Sequence, residues 1–248
     1  MLYIKEQEQI DDMVNKNDID NINKKDKQGP KADMSVKLSF YITYAFLLTT
    51  ATITFIEAMR TKIPMIRHIL NLETTISVVA AFFYTQFMEK INKPNVDYKD
   101  INLNRYADWA ITTPIMLLVL CMALGYNVNK ITKFSTYLIV LILNYGMLGS
   151  GYMGEISKVN KATSTMVGFG FFGLLYWTIY KNFVKGYKSF DNRLLFWSFV
   201  VLWSLYGVVY WFDDKNKNIS FNILDLFAKC FVGIFFWAYF TKSISLYK

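Results

Sequence analysis

The sequence predicts an all-α membrane protein: a bundle of seven transmembrane helices, with the N-terminus extracellular and the C-terminus cytoplasmic. Of the 248 residues, 54% are hydrophobic and 18% are aromatic, a composition typical of lipid-facing helices with aromatic belts. Seven apolar stretches each have roughly the 20 residues that a helix needs to cross a bilayer. Lys and Arg concentrate in the loops after the first, third and fifth stretches, which predicts that these loops are cytoplasmic.

The predicted spans follow a polar N-terminal segment. Residues 1–34 are rich in Asp, Asn and Lys without a sustained apolar period, so we expect a disordered extracellular tail before a seven-helix domain over 35–248. The spans are predicted at 36–59, 68–89, 104–125, 131–151, 162–184, 193–212 and 219–241. The fourth is rich in glycine, which favours close contact between membrane helices.

Charge and cysteine content narrow the function classes. The formal net charge is +8, from 27 basic and 19 acidic residues, but most of these residues lie in loops and in the N-terminal segment. They therefore indicate topology, with the lipid bilayer as partner, rather than nucleic-acid binding. Cys121 and Cys230 fall within apolar stretches, so we expect free, buried thiols and neither a disulfide framework nor a metal site.

The most informative residue is Lys229, which interrupts the apolar stretch 221–240, with Asp225 one helical turn before it. A charge at bilayer depth costs at least ~2.5–3.5 kcal/mol, so such a residue predicts a functional site. Residues four apart share a helix face and can neutralise each other. A lysine amine in an apolar pocket can also form a Schiff base with a carbonyl ligand. A buried structural ion pair is the alternative.

The third span carries a matching set of polar residues. Arg105, Asp108 and Thr112 are spaced three and four apart, so they share one helix face. If that face turns towards Lys229 and Asp225, two cations and two carboxylates sum to zero charge, as a buried cluster requires.

Proline and aromatic residues complete the pattern. Pro114 frees a backbone carbonyl, and we expect the hydroxyls of Thr112 and Thr113 to occupy the freed acceptor. Four aromatic residues on the third and sixth spans suggest walls of a slot for a flat apolar ligand, with ordinary helix packing as the alternative. They are Trp109, Trp203, Tyr206 and Tyr210.

These motifs together resemble the microbial rhodopsins. Arg-Tyr-Ala-Asp-Trp at 105–109 is followed by Thr-Thr-Pro at 112–114, and Asp-x-x-x-Lys stands at 225–229. The sixth-span run at 201–210, Val-Leu-Trp-Ser-Leu-Tyr-Gly-Val-Val-Tyr, is a third match. The resemblance covers roughly residues 36–241.

The resemblance implies a cofactor and roles for named residues. All-trans retinal would be bound to Lys229 as a protonated Schiff base, with Asp108 as primary counterion and proton acceptor and Asp225 as second counterion. Arg105, Thr112 and Tyr84 would complete the Schiff-base network. The retinal pocket would comprise Trp109, Thr113, Met147, Trp203, Tyr206 and Tyr210, and Thr113 and Asn144 would couple the third and fourth helices.

The pattern of outward proton pumps in this family is incomplete. Val119 occupies the position of the inner proton donor, and Lys217 the seventh-span position of an outer release carboxylate. Gly207 stands in place of the usual sixth-span proline. A pump with these residues is expected to be slow in reprotonation.

The first two spans resemble the rhodopsins of large algal viruses, a subgroup that includes light-gated cation channels. Glu73, Asn222 and Arg105 would line the ion path, so the leading hypothesis is a light-gated cation channel in a membrane, the host cell membrane if the chain is viral. An outward proton pump and a sensory photoreceptor are alternatives; an enzyme is not predicted. For Glu73, an interfacial position and a role as displaced proton donor stay open. A homo-oligomer is expected, with cations or protons as transported partners.

Overall fold

The computed structural model describes residues 32–241, which form seven long helices and, over that range, no β-strand. All seven are long and apolar enough to cross a membrane, which confirms the predicted seven spans. The helices are α1 Met34–Arg60, α2 Pro64–Ile91, α3 Tyr98–Asn127, α4 Phe134–Glu155, α5 Lys161–Phe183, α6 Phe190–Val209 and α7 Asp214–Phe240. The predicted tail lies outside the described residues up to residue 31.

The bundle is built around α3. Two-thirds of its most apolar window (67%) is buried inside the protein, against 11% for α4. Helix α3 contacts α2, α4, α5, α6 and α7, so its polar face meets the bundle interior rather than lipid. We call the end where α1, α3, α5 and α7 begin the outer end, predicted to be extracellular, and the opposite end the inner end.

Polar caps fix where several helices begin. The side chains of Asp97, Asn160, Ser189 and Asp213 each accept a backbone N–H from the first turn of α3, α5, α6 and α7, respectively. Such caps satisfy donors that the helix itself leaves unpaired. They set the register in which the interior residues of each helix face their neighbours.

The backbone around Pro114 differs from the prediction. Pro114 leaves the Ala110 carbonyl without its helical donor, and the Tyr145 hydroxyl of α4 donates to that oxygen at 3.0 Å. The hydroxyls of Thr112 and Thr113 instead donate to the carbonyls four residues before them, at 2.9 and 2.7 Å. The expected threonine contact was wrong because a phenol on the neighbouring helix reaches the freed carbonyl.

Helix α7 changes geometry at its lysine. Its α-helical stretches Asp214–Asp225 and Val232–Phe240 are joined by a π-helical segment, Leu226–Phe231, that contains Lys229. π-Helical turns are rare and frequently mark functional sites. Both cysteines are free and buried, as expected.

Candidate functional site

Four buried charges meet at the centre of the bundle. Lys229 Nζ donates to Asp108 Oδ2 at 2.6 Å and lies 3.6 Å from Asp225 Oδ1. Arg105 Nη1 lies 3.6 Å from Asp225 Oδ2. None of the four residues is more than 2% exposed. Because the two cations balance the two carboxylates, the cluster satisfies the condition for burying charge in a low-dielectric interior.

Hydroxyl groups orient both carboxylates. Asp225 accepts hydrogen bonds from the Tyr84 hydroxyl at 2.9 Å and the Tyr206 hydroxyl at 2.8 Å. Thr112 Oγ1 donates to Asp108 Oδ1 at 3.3 Å. The structure therefore brings Tyr84 and Thr112 to the cluster and gives Tyr206 a polar contact besides its place in the aromatic slot.

Arg105 is held by amide groups and aromatic rings. Its guanidinium donates to the Asn222 side chain and to Asn218, at 3.3 Å to the side-chain oxygen and 3.4 Å to the carbonyl. Its central carbon lies 5.1 to 5.7 Å from four ring centroids, a range in which cation–π attraction operates: Phe40, Tyr84, Phe87 and Phe221. Sequence reasoning missed Asn218, although its position one turn before Asn222 was a usable signal.

Asn222 joins four helices. Its side-chain oxygen accepts from Tyr84 of α2 at 3.0 Å as well as from Arg105 of α3, and its Nδ2 donates to Ser39 Oγ of α1 at 2.8 Å. Thr43 of α1 donates to its carbonyl at 3.1 Å. The predicted ion-path residue thus lies in a network of hydrogen bonds beside the charge cluster.

An aromatic slot extends from Lys229 towards α4 and α5. Its cavity volume is about 140 Å³. All six predicted pocket residues line it: Trp109, Thr113, Met147, Trp203, Tyr206 and Tyr210. Its walls are mostly apolar, with the Lys229 amine and Asp225 among the few polar groups. These residues fit the retinal that the resemblance implies.

The predicted coupling pair is also in contact. Asn144 Nδ2 of α4 donates to Thr113 Oγ1 of α3 at 2.8 Å. Thr113 donates in turn to the Trp109 carbonyl at 2.7 Å. The slot wall on α3 is therefore tied to α4 by a buried hydrogen bond.

On the inner side of Lys229 the interior is apolar except for Glu73 and a few hydroxyl groups. Val119 is fully buried in the main hydrophobic core. Glu73 is 2% exposed, so its side chain is buried between the helices. Its Oε2 lies 3.1 Å from the place that a Cβ on Gly233 would occupy. Gly233 follows Lys229 by four residues, or about 6 Å along a helix axis.

Glu73 differs from the other buried carboxyl groups in its pairing. Asp108, Asp225 and Glu155 each face a cation within 3.6 Å. Glu73 makes no ion pair or hydrogen bond with any residue in the described range 32–241. The neighbouring Ser77 hydroxyl is also buried without a partner in that range.

A second ion cluster lies at the outer end. Lys217, which is 3% exposed, contacts Glu155 Oε1 at 2.8 Å and Asp214 Oδ1 at 3.2 Å. Asn218 Nδ2 donates to the Asp214 carbonyl at 2.9 Å, so this cluster adjoins the amide that holds Arg105. The pair could not be predicted from the sequence, because Glu155 lies on α4 and no local spacing joins it to Lys217 on α7.

Known proteins match this architecture. A family model described as bacteriorhodopsin-like protein matches residues 34–243. The crystal structure of the viral rhodopsin OLPVRII is 53% identical, with a TM-score of 0.80, covering 85% of this chain and 99% of that chain. Acetabularia rhodopsin I is 20% identical with a TM-score of 0.71, covering 87% and 97% respectively, which shows a shared fold.

A curated relative also matches in part. Sensory rhodopsin III of Haloarcula marismortui (strain ATCC 43049 / DSM 3752 / JCM 8966 / VKM B-1809) is 33% identical over 152 residues, covering 54% of this chain. The match spans 61% of that relative's length. The family match covers all seven described helices. The chain therefore belongs to the bacteriorhodopsin-like family, multi-pass membrane proteins whose chromophore is retinal held through a Schiff base.

Proposed function

We propose that the protein is a light-driven outward proton pump. Retinal, attached at Lys229, would supply the light-triggered change of shape that moves the lysine nitrogen. The observation that carries the proposal is the placement of carboxyl groups on both sides of that nitrogen. Asp108 is paired with it at 2.6 Å, and Glu73, which has no partner within the described range, lies about one helical turn further inward.

The outer carboxyl group serves as the acceptor. When the Lys229 nitrogen gives its proton to Asp108, both groups become neutral, and Asp225 and Arg105 remain as a balanced pair. The charge of the cluster is therefore zero before and after transfer, which avoids leaving an uncompensated charge in the interior. The hydroxyls of Tyr84 and Tyr206 keep Asp225 in place throughout.

The inner carboxyl group serves as the donor. An ionised carboxyl without a partner is very costly in an apolar interior, and such a group neutralises instead. Glu73 therefore holds a proton in the resting protein and can return one to the Lys229 nitrogen. This assigns to α2 the function that Val119 of α3 cannot perform.

The outer network supports release to the outside. Arg105 donates a hydrogen bond to Asn218, and Asn218 donates one to the backbone carbonyl of Asp214. Asp214 is in turn paired with Lys217, and its side chain is 42% exposed. Hydrogen bonds thus run from Arg105 through Asn218 to the backbone of Asp214, and we propose that the partly exposed Asp214 carboxylate receives the released proton.

A light-gated cation channel is the second candidate. It is favoured by a line of polar residues at the interface of α1, α2 and α7: Ser39, Thr43, Thr50, Thr54, Glu73, Thr74, Ser77 and Asn222. A hydrated cation would require this interface to widen past both the Arg105 network and the apolar packing around Val119. Proton transfer needs no opening wide enough for a hydrated ion, so we favour the pump.

Voltage clamp of cells supplied with retinal separates the candidates. For the pump we expect a light-induced outward current at every holding potential, with no reversal. A current that reverses at an ion-dependent potential would establish the channel instead. A coloured protein without any current would favour the sensory alternative.

A single substitution then tests the donor. Glu73→Gln should slow recovery of the visible absorption after a flash several-fold, while the resting colour stays nearly unchanged. The matched control is Glu89→Gln, since Glu89 is an exposed carboxyl on the same helix. Recovery as fast in Glu73→Gln as in the control would remove Glu73 from the pathway. Added azide, a small proton carrier, should restore fast recovery in Glu73→Gln.

A further inference from the structure

The slot wall between α5 and α6 is one side chain thick. Phe169 of α5 lines the slot and is also 40% exposed on the outside of the bundle. Its wall neighbours Thr165, Gly168 and Gly207 are partly exposed lining residues. Helices α5 and α6 contact each other sparsely, whereas α4 and α5 pack closely along their length. The barrier between slot and lipid is therefore thin at this place.

The Phe169 ring packs directly against the backbone of Gly207. A Cβ on Gly207 would lie 2.5 and 2.6 Å from two carbons of that ring, closer than real Cβ contacts allow. The ring reaches from α5 to the backbone of α6 and occupies the space that a side chain at 207 would fill. On its own helix it meets Phe172 with ring centroids 5.8 Å apart, edge to face.

The other routes into the slot are closed by tighter packing. The outer side is blocked by Arg105 and its fully buried partners, and the inner side by the hydrophobic core around Val119. A partly exposed phenylalanine, in contrast, can change rotamer on a fast timescale with only two torsions to reorganise. Retinal is apolar and dissolves in the bilayer, so the lipid side is where it is available.

We infer that retinal enters the slot sideways from the bilayer, between α5 and α6. The Phe169 ring closes this entrance when it packs against Gly207 and opens it when it rotates away. A retinoid dissolved in lipid is the molecule that this surface admits. The inference is independent of whether the protein pumps protons or conducts cations. It also explains why glycine at 207 is useful: any larger residue would push the ring from its closed position.

The test uses the full chain prepared without retinal in lipid vesicles, to which retinal-loaded vesicles are added. Entry is followed by quenching of tryptophan fluorescence, which reports arrival in the slot beside Trp109 and Trp203, and by growth of the visible absorption. Phe169→Ala should accelerate both signals several-fold, and Phe169→Trp should slow them. Leu174→Ala is the control, because Leu174 is exposed on the same helix but does not line the slot.

A second measurement distinguishes a change in the access to the slot from a folding defect in the variant. The pigment formed by each variant is exposed to hydroxylamine in the dark, and bleaching should be faster in Phe169→Ala than in Leu174→Ala. Gly207→Ala should likewise change the rate of entry, because it displaces the ring. Entry and bleaching rates that are equal in the parent, Phe169→Trp and Gly207→Ala would overturn the inference and place the entrance elsewhere.

Discussion

The outer and inner halves of the bundle hold their helices together by different means. At the outer end, ion pairs join α7 to α4 through Lys217 and Glu155 at 2.8 Å, and α2 to α3 through Lys90 and Asp100 at 2.6 Å. At the inner end, Asn192 of α6 donates to the carbonyls of Leu124 and Phe183, both at 2.9 Å. Within residues 32–241, no ion pair joins two helices there.

The difference indicates which half moves after light absorption. Breaking a buried ion pair by removing one partner costs far more than losing a neutral hydrogen bond. The apolar packing around Val119 and the few hydrogen bonds from side-chain amides can be broken at a smaller cost in free energy. We therefore expect the outer half to stay closed around Arg105, while the inner half opens to let a proton reach Glu73.

The largest expected effect is at the boundary between the halves. Lys229→Ala should abolish pigment formation, because no other amine enters the slot among the described residues. It should also leave two carboxylates facing Arg105 alone and so destabilise the fold. Visible absorption after addition of retinal is the measurement. A coloured Lys229→Ala protein would disprove both the attachment site and the central role of this cluster.

Asp108→Asn and Glu73→Gln compare the halves directly. Asp108→Asn removes the anion beside the cationic nitrogen, so the absorption should shift to longer wavelength and the photocurrent should be lost. Glu73→Gln removes no paired charge, so the colour should change little. Spectra of the two purified variants provide the comparison. An equal shift in both would show that Glu73 is as strongly coupled to the nitrogen as Asp108.

Stability should depend more on the outer ion pair than on the inner amide. Glu155→Gln should lower the free energy of unfolding by about 3 kcal/mol, the lower end of the range for breaking a buried ion pair, because Asp214 still faces Lys217. Asn192→Ala should cost about 1–2 kcal/mol, because it leaves two buried carbonyl acceptors unpaired. Unfolding in mixed detergent measures both; a larger loss for Asn192→Ala would reverse the comparison.

The smallest effect concerns the cap of α7. Hydrogen bonds from the Asn216 backbone and side chain lower the pKa of the exposed Asp213 below its usual value of 3.8. The ionised cap therefore stabilises α7 at neutral pH, and this contribution is lost as the pH falls below about 4. Asp213→Asn should flatten that acid dependence slightly. Thermal unfolding between pH 3 and 7 would show it, with Glu89→Gln as a control that keeps the cap.

Much of the site could be predicted because its signals are local. A lysine in an apolar stretch, an acid four residues before it and an Arg-Asp-Thr face on the third span needed only helical periodicity to be read as one cluster. The four aromatic residues suggested a slot by their place on the third and sixth spans, and their role in a retinal pocket was implied by the family resemblance. The seven spans could be predicted from the lengths of the apolar stretches, because the thickness of the bilayer sets the length that every membrane-crossing helix needs.

Features that depend on two distant segments were not accessible in this way. Three such contacts each join two different helices: Tyr145 with the Ala110 carbonyl, Glu155 with Lys217, and the Phe169 ring with Gly207. The sequence by itself determined which charges had to be buried and how many helices cross the membrane, because both follow from the cost of polar groups in lipid. Only the tertiary structure decided that Glu73 faces the interior without a partner among residues 32–241 and that α5 and α6 leave a thin wall, since both depend on how the helices rotate and pack.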